Sequence, residues 1–95
     1  MAKQTWKMIY DPKVDIFALR LPGDLTDTEE RFEDVFLEYD EKGNLIGVEI
    51  SFASQTYNKV RKKIEDIIPE LKGKLPKNLK ELRLKTQSKK ASISV

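Results

Sequence analysis

Sixteen carboxylates and eighteen lysines and arginines carry most of the chemistry this 95-residue sequence has to offer, because it contains neither cysteine nor histidine. That inventory excludes thiolate nucleophiles, disulfides, thiolate zinc centres and imidazole proton transfer. What remains suits a carboxylate-held Mg²⁺ or Ca²⁺ ion, or the charged contacts of a binding surface. Three carboxylate groupings qualify. Asp11 and Asp15 stand four residues apart; the simpler reading gives Asp11 to a turn cap and Asp15 to the start of a strand. Asp27, Glu29, Glu30, Glu33 and Asp34 crowd one segment without the regular spacing of a calcium loop, and read as a solvated acidic rim. Glu38 and Glu49, far apart in sequence, meet only if folding brings them together, with Arg20 as a third member. No positioned nucleophile or phosphate-cradling glycine loop accompanies any of these groups. The chain therefore reads as a binding protein rather than an enzyme, with no cofactor and no metal.

The elements that must position these groups are organised around residues 35–54. Two runs of β-forming residues, 35–39 and 45–52, flank Asp40-Glu41-Lys42-Gly43-Asn44, where Gly and Asn suit a chain reversal. Burial selects the register. A four-residue loop over 41–44 puts Val35, Leu37 and Tyr39 on the same face as Ile46, Val48, Ile50 and Phe52, whereas a slip of one residue mixes charge into that face. The opposite face then carries Phe36, Glu38, Gly47, Glu49 and Ser51. An earlier hairpin precedes it: Trp6, Met8 and Tyr10 fall on one face and Thr5, Lys7 and Ile9 on the other, Asp11-Pro12-Lys13 turns the chain, and Phe17, Leu19 and Leu21 return it. Ile16, Ala18 and Arg20 lie on the outward side of that second strand. Residues 25–34 are acidic and weakly patterned, and are expected to be a connection.

Past Phe52, Ser54 is the expected N-cap of an amphipathic helix whose apolar stripe is Tyr57, Val60, Ile64, Ile67 and Ile68. Pro69 stops it near Ile68, and the stripe is expected to cover one face of the sheet. The predicted fold is thus α+β: an antiparallel four-stranded meander sheet covered on one face by an amphipathic helix, followed by a basic C-terminal extension. Within that extension, Leu79 and Leu82 suit a helical turn, while the alternation of Leu82, Leu84 and Thr86 and then of Ala91, Ile93 and Val95 suits a further β-hairpin. A disordered basic tail is the other reading.

One further pattern runs through the first half. Tyr10-Asp11, Val14-Asp15 and Leu19, followed by Tyr39-Asp40, Gly43, Leu45, Gly47-Val48-Glu49-Ile50 and Ala53-Ser54, resemble the small prokaryotic family called domain of unknown function 2283 over about residues 8–54. The resemblance implies a compact β-rich domain without established catalytic residues, and in some members an antitoxin-like role beside a neighbouring toxin. Sequence beyond Gln55 lies outside the pattern, so partner specificity built there is not inherited.

Composition sets the remaining bounds. A chain of this length is expected to form one domain. With 39% apolar and 36% charged residues it can fold, beneath a densely charged surface. No stretch approaches a membrane span and the first residues lack signal-peptide character, so a cytoplasmic protein is expected. The net charge of +2 hides a division: residues 1–54 hold six Lys and Arg against twelve Asp and Glu, and residues 55–95 hold twelve against four. The two halves partly neutralise each other, or face different partners. Two functions follow. In the first, the chain is a protein-interaction module, either partnering another protein or self-associating as a dimer, with Ile16, Arg20, Phe36, Glu38 and Glu49 as the partner surface. In the second, Lys59, Arg61, Lys62 and Lys63 contact nucleic acid, although Tyr57, the one aromatic nearby, belongs to the buried stripe and leaves no stacking platform.

Overall fold

Hydrogen-bond pairing adds a strand that hydrophobic patterning does not reveal. In the computed structural model, which describes residues 5–81, the strands are β1 (Lys7–Asp11), β2 (Ile16–Arg20), β3 (Asp27–Phe32), β4 (Val35–Tyr39) and β5 (Leu45–Ser51). They form one antiparallel sheet in the order β1-β2-β5-β4-β3. The sheet therefore has five strands, not four. The acidic segment expected to be a connection is β3, an edge strand exposed from Asp27 to Arg31. Its charges carry no alternating apolar signal, yet an edge strand needs none: main-chain bonds to β4 hold it, and charge along an edge discourages further pairing. Nor is the sheet a simple meander. With β3 on the outer side of β4, the first hairpin pairs with β5, so that β2 and β4 flank the central strand.

The register of β4 against β5 is the expected one through Val35↔Ile50, Phe36↔Glu49, Leu37↔Val48 and Glu38↔Gly47. It then shifts, and Tyr39 pairs with Leu45. The cause lies in the turn. Asp40 Oδ1 accepts the backbone N–H of Lys42 and of Asn44, both at 2.9 Å, while Asp40 N donates to Asn44 O at 3.0 Å. This closes a tighter loop than expected and leaves Ile46 as the extra residue of a bulge. Leu45 takes a place at the rim of the core, whereas Ile46 leaves the main cluster and lies against Gly23.

The core face gathers Tyr10, Phe17, Leu19, Val35, Leu37, Val48 and Ile50 under α1 (Ala53–Ile67), which contributes Ala53, Tyr57, Val60 and Ile64. Phe17 and Tyr57 meet edge to face with ring centroids 5.1 Å apart, and Tyr57 Oη donates to Pro76 O at 2.5 Å. Burial of that phenol pushes its pKa far above the usual value. The helix ends as its sequence requires: Ile68 N closes the last bond to Ile64 O, and Pro69 opens a 3-10 turn, Pro69–Leu71. Ile68, Leu71, Leu75 and Leu79 complete the cluster. Residues 79–81 are helical, and the proposed hairpin beyond them lies outside the described residues. Among the described residues, no helix is long and apolar enough to cross a membrane.

The helix start departs from expectation. Its N-cap is Phe52, held at φ 52° and making no side-chain cap bond, and Ser54 is committed elsewhere. Gly43 sits in the β4–β5 turn at φ +83°, with no atom within 4 Å of where a Cβ would lie. The cost of a side chain there is conformational alone, so Gly43→Val is expected to lower stability by about 1 kcal/mol or more. Thermal unfolding checks this; an unchanged midpoint would contradict the turn geometry.

Candidate functional site

Two polar assemblies stand out, and they answer to different needs. The first joins the halves of the fold. Asp15, at the β1–β2 turn with φ 57°, accepts hydrogen bonds from Tyr10 Oη at 2.7 Å and Ser54 N at 2.8 Å on Oδ1, and from Ser54 Oγ at 2.6 Å on Oδ2. Its carbonyl accepts Ala53 N at 2.9 Å. The expected strand cap is thus a cap on the helix, supplied from 39 residues upstream, and Ser54 is the donor to it rather than the cap itself. Burial raises the Asp15 pKa, but the bonds from Ser54 and Tyr10 together outweigh it and hold the carboxyl below its usual range. Asp11 behaves as expected, accepting Lys13 N at 2.9 Å in the turn. Asp11 and Asp15 therefore have separate structural duties.

The second assembly lies on the face of the sheet that α1 does not cover. No helix or strand among the described residues packs over it. Directly paired residues share a face, which gives one row of Lys7, Arg20, Gly47, Glu38 and Thr28 across the five strands, and a second of Ile9, Ala18, Glu49, Phe36 and Glu30. Ile16 and Ser51 follow in a third. All five residues expected at the partner surface, Ile16, Arg20, Phe36, Glu38 and Glu49, are brought together here.

Gly47 is what lets the charges meet. It stands between Arg20 and Glu38 on neighbouring strands, and a Cβ at 47 would collide with Glu38 Oε1. Over the empty position, Arg20 Nη1 approaches Glu38 Oε1 at 3.4 Å, and Nη2 lies 3.7 Å from Glu49 Oε2. Glu38 is 4% exposed, and its Oε1 accepts no hydrogen bond among the described residues. Burial pushes its pKa up; attraction to Arg20 opposes this, and repulsion from Glu49 adds to it. Beside this network, Ile9 is 47% exposed and Ile16 and Phe36 are half-buried. The face combines apolar side chains with a charge network, and holds no group of three or more potential metal ligands among the described residues.

The acidic strand has its own local network: Glu29 accepts bonds from Arg31 and Tyr39, which lower its pKa. The candidate nucleic-acid residues are divided by the helix. Lys59, Lys62 and Lys63 are exposed and Arg61 is half-buried. Lys59 and Lys63 line a depression whose other side carries Glu33 and Asp34, and Lys63 Nζ sits 4.9 Å from the centre of the Phe32 ring. Phe52, 60% exposed, borders the same depression.

A family profile described as "Protein of unknown function (DUF2283)" matches residues 7–54, which span all five strands and the first two residues of α1. The chain belongs to this family. No curated protein and no solved structure matches it. The DUF2283 segment ends on Ser54, the residue that Asp15 binds, so the matched region closes on the cap linking sheet to helix. Gly47 was legible in the sequence as the partner of Glu38 in the expected register. The helix cap was not, because its members are brought together only by tertiary folding.

Three measurements follow. Gly47→Ala is expected to destabilise by about 1–3 kcal/mol through overpacking, with much of the loss recovered when Glu38→Ala is added; additive losses in denaturant unfolding would contradict the collision. A carboxyl with a raised folded pKa opposes folding while ionised, and that penalty is relieved as pH falls through the folded pKa. Glu38→Gln is therefore expected to raise the melting temperature at pH 7, with the gain shrinking toward pH 4. Asp15 has the opposite sign: its depressed pKa contributes stability above the unfolded value near 3.8, which is lost as pH falls through the folded one. Asp15→Asn is expected to cost about 1–3 kcal/mol at pH 7 and progressively less in acid, as unfolding at graded pH would show.

Proposed function

We propose that this DUF2283 protein is a protein-interaction module, and a binding rather than a catalytic one, whose docking surface is the uncovered face of the sheet. The observation that carries this reading is the exposure of Ile9 beside half-buried Ile16 and Phe36, on the same face as the Arg20–Glu38–Glu49 network. Apolar side chains rimmed by charge are the usual makeup of a partner surface. An antitoxin-like role beside another small protein, which the family resemblance implies, is one form of this function.

The test uses the tagged full chain purified from its native cells, with Ile9→Asp as the disrupting variant and Lys62→Glu, on the helix, as the control. A protein retained by the wild type and by the control, but lost by Ile9→Asp with its melting temperature intact, is the expected result. Retention of the same protein by all three would remove this face as the docking surface. Salt-sensitive binding of a labelled duplex or RNA, weakened by Lys62→Glu and not by Ile9→Asp, would favour the basic helix instead.

A further inference from the structure

A sheet of five strands has one central strand, and the residues on the open face are distributed unevenly about it. On the β1–β2 side stand Lys7 and Arg20, with small, buried Ala18 between Ile9 and Glu49. On the β4–β3 side stand Glu38 and Glu30, with bulky Phe36 in the same row as Ala18. Except for Asp11 at the end of β1, in the row of Ile16 and Ser51, the two sides are opposite in charge and complementary in size. Gly47, which has no side chain, lies on the central strand between them.

We propose that the partner on this face is a second copy of the chain, docked by a twofold axis running along β5. The proposal rests on reading the face as a docking surface, and it names the occupant. A twofold along the central strand exchanges the two halves of the sheet: β2 of one copy lies over β4 of the other, and β1 over β3. Arg20 then faces Glu38 of the other copy and Phe36 fills the recess over Ala18. On the outer strands Lys7 lies over Thr28 and Ile9 over Glu30, one row apart, so that the long Lys7 side chain reaches the Glu30 carboxylate alongside. Every such contact occurs twice, as an isologous interface requires. Glu49 approaches its own counterpart near the axis, and the two Arg20 guanidiniums, each already 3.7 Å from its Glu49, offset that repulsion. Aligned sheets pack about 10 Å apart with their strands turned by about 30°, so long charged side chains reach across. Neighbouring strands about 4.8 Å apart and five residues long give a footprint of roughly 20 by 17 Å, below a standard interface, so a weak, reversible self-association is expected.

Sedimentation velocity on the full chain, from about 1 to 500 μM, is the measurement, over the range such an interface calls for. A reversible monomer–dimer equilibrium is expected, abolished by Ile9→Asp. Lys7→Glu alone and Glu30→Lys alone, both at exposed positions, are each expected to weaken it about tenfold by setting like charges together. An equimolar mixture of the two variants is expected to restore dimers, because each interface then pairs a lysine with a glutamate. Glu49→Gln is expected to tighten the dimer severalfold by removing the like charges at the axis. A wild type that stays monomeric throughout overturns the proposal, as does a dimer indifferent to all these substitutions. A monomer whose retained protein partner is still lost on Ile9→Asp overturns the second copy alone and leaves the docking face standing. A monomer whose retained partner survives Ile9→Asp overturns both.

Discussion

The Asp15 carboxylate ties the two halves of the molecule together. It receives Tyr10 from β1 and both donors of Ser54 from α1, while its own carbonyl receives Ala53. The first turn of a helix presents backbone N–H groups without internal partners, and here an aspartate from the opposite end of the matched family segment supplies the acceptor. Phe52 can stay in a left-handed conformation with no cap of its own because this distant group holds the start of the helix in place. With the helix so anchored, its stripe of Tyr57, Val60 and Ile64 covers Phe17, Leu19, Val48 and Ile50. Among the described residues, no helix or strand covers the other face of the sheet.

That open face is shaped by the absence of one side chain. Gly47 removes the obstacle between Arg20 and Glu38, so a carboxylate can lie nearly buried on a surface over which no helix or strand of the described residues packs. Burying a charge is costly unless it is paired, and the pairing here is incomplete: one guanidinium serves two carboxylates, and Glu38 Oε1 accepts no hydrogen bond among the described residues. The division of charge about β5 is a consequence of strand order, since pairing β2 with β5 places Arg20 across Gly47 from Glu38.

The family match and the architecture divide at the same place. All five strands and the cap on α1 fall within residues 7–54, while most of the helix and the 3-10 turn lie beyond. Motif residues that look chemical in a sequence, Asp15, Asp40 and Gly43, do conformational work: they cap a helix, close a turn and permit a positive φ. The basic half supplies the core with Tyr57, Val60, Ile64, Ile68 and Leu71, and the lysines between 59 and 80 are exposed.

The sequence by itself determined the elements whose side chains alternate or repeat against water: both hairpins, the helix, its stop before Pro69, and the facing of Val35 and Leu37 with Val48 and Ile50. Burial on one face writes itself into every second or third residue, so these were legible, as was the placing of Arg20, Glu38 and Glu49 on the reverse side, though not their contact. Tertiary structure alone decided the rest. The charged edge β3 exists through main-chain bonds that leave no apolar pattern. The bulge at Ile46 comes from the way Asp40 closes its turn. The choice of β5 as neighbour to β2, and the cap on Ser54 from a residue 39 positions earlier, depend on which hydrogen-bonding edges and donors remain free once the other strands have paired. No local pattern encodes that.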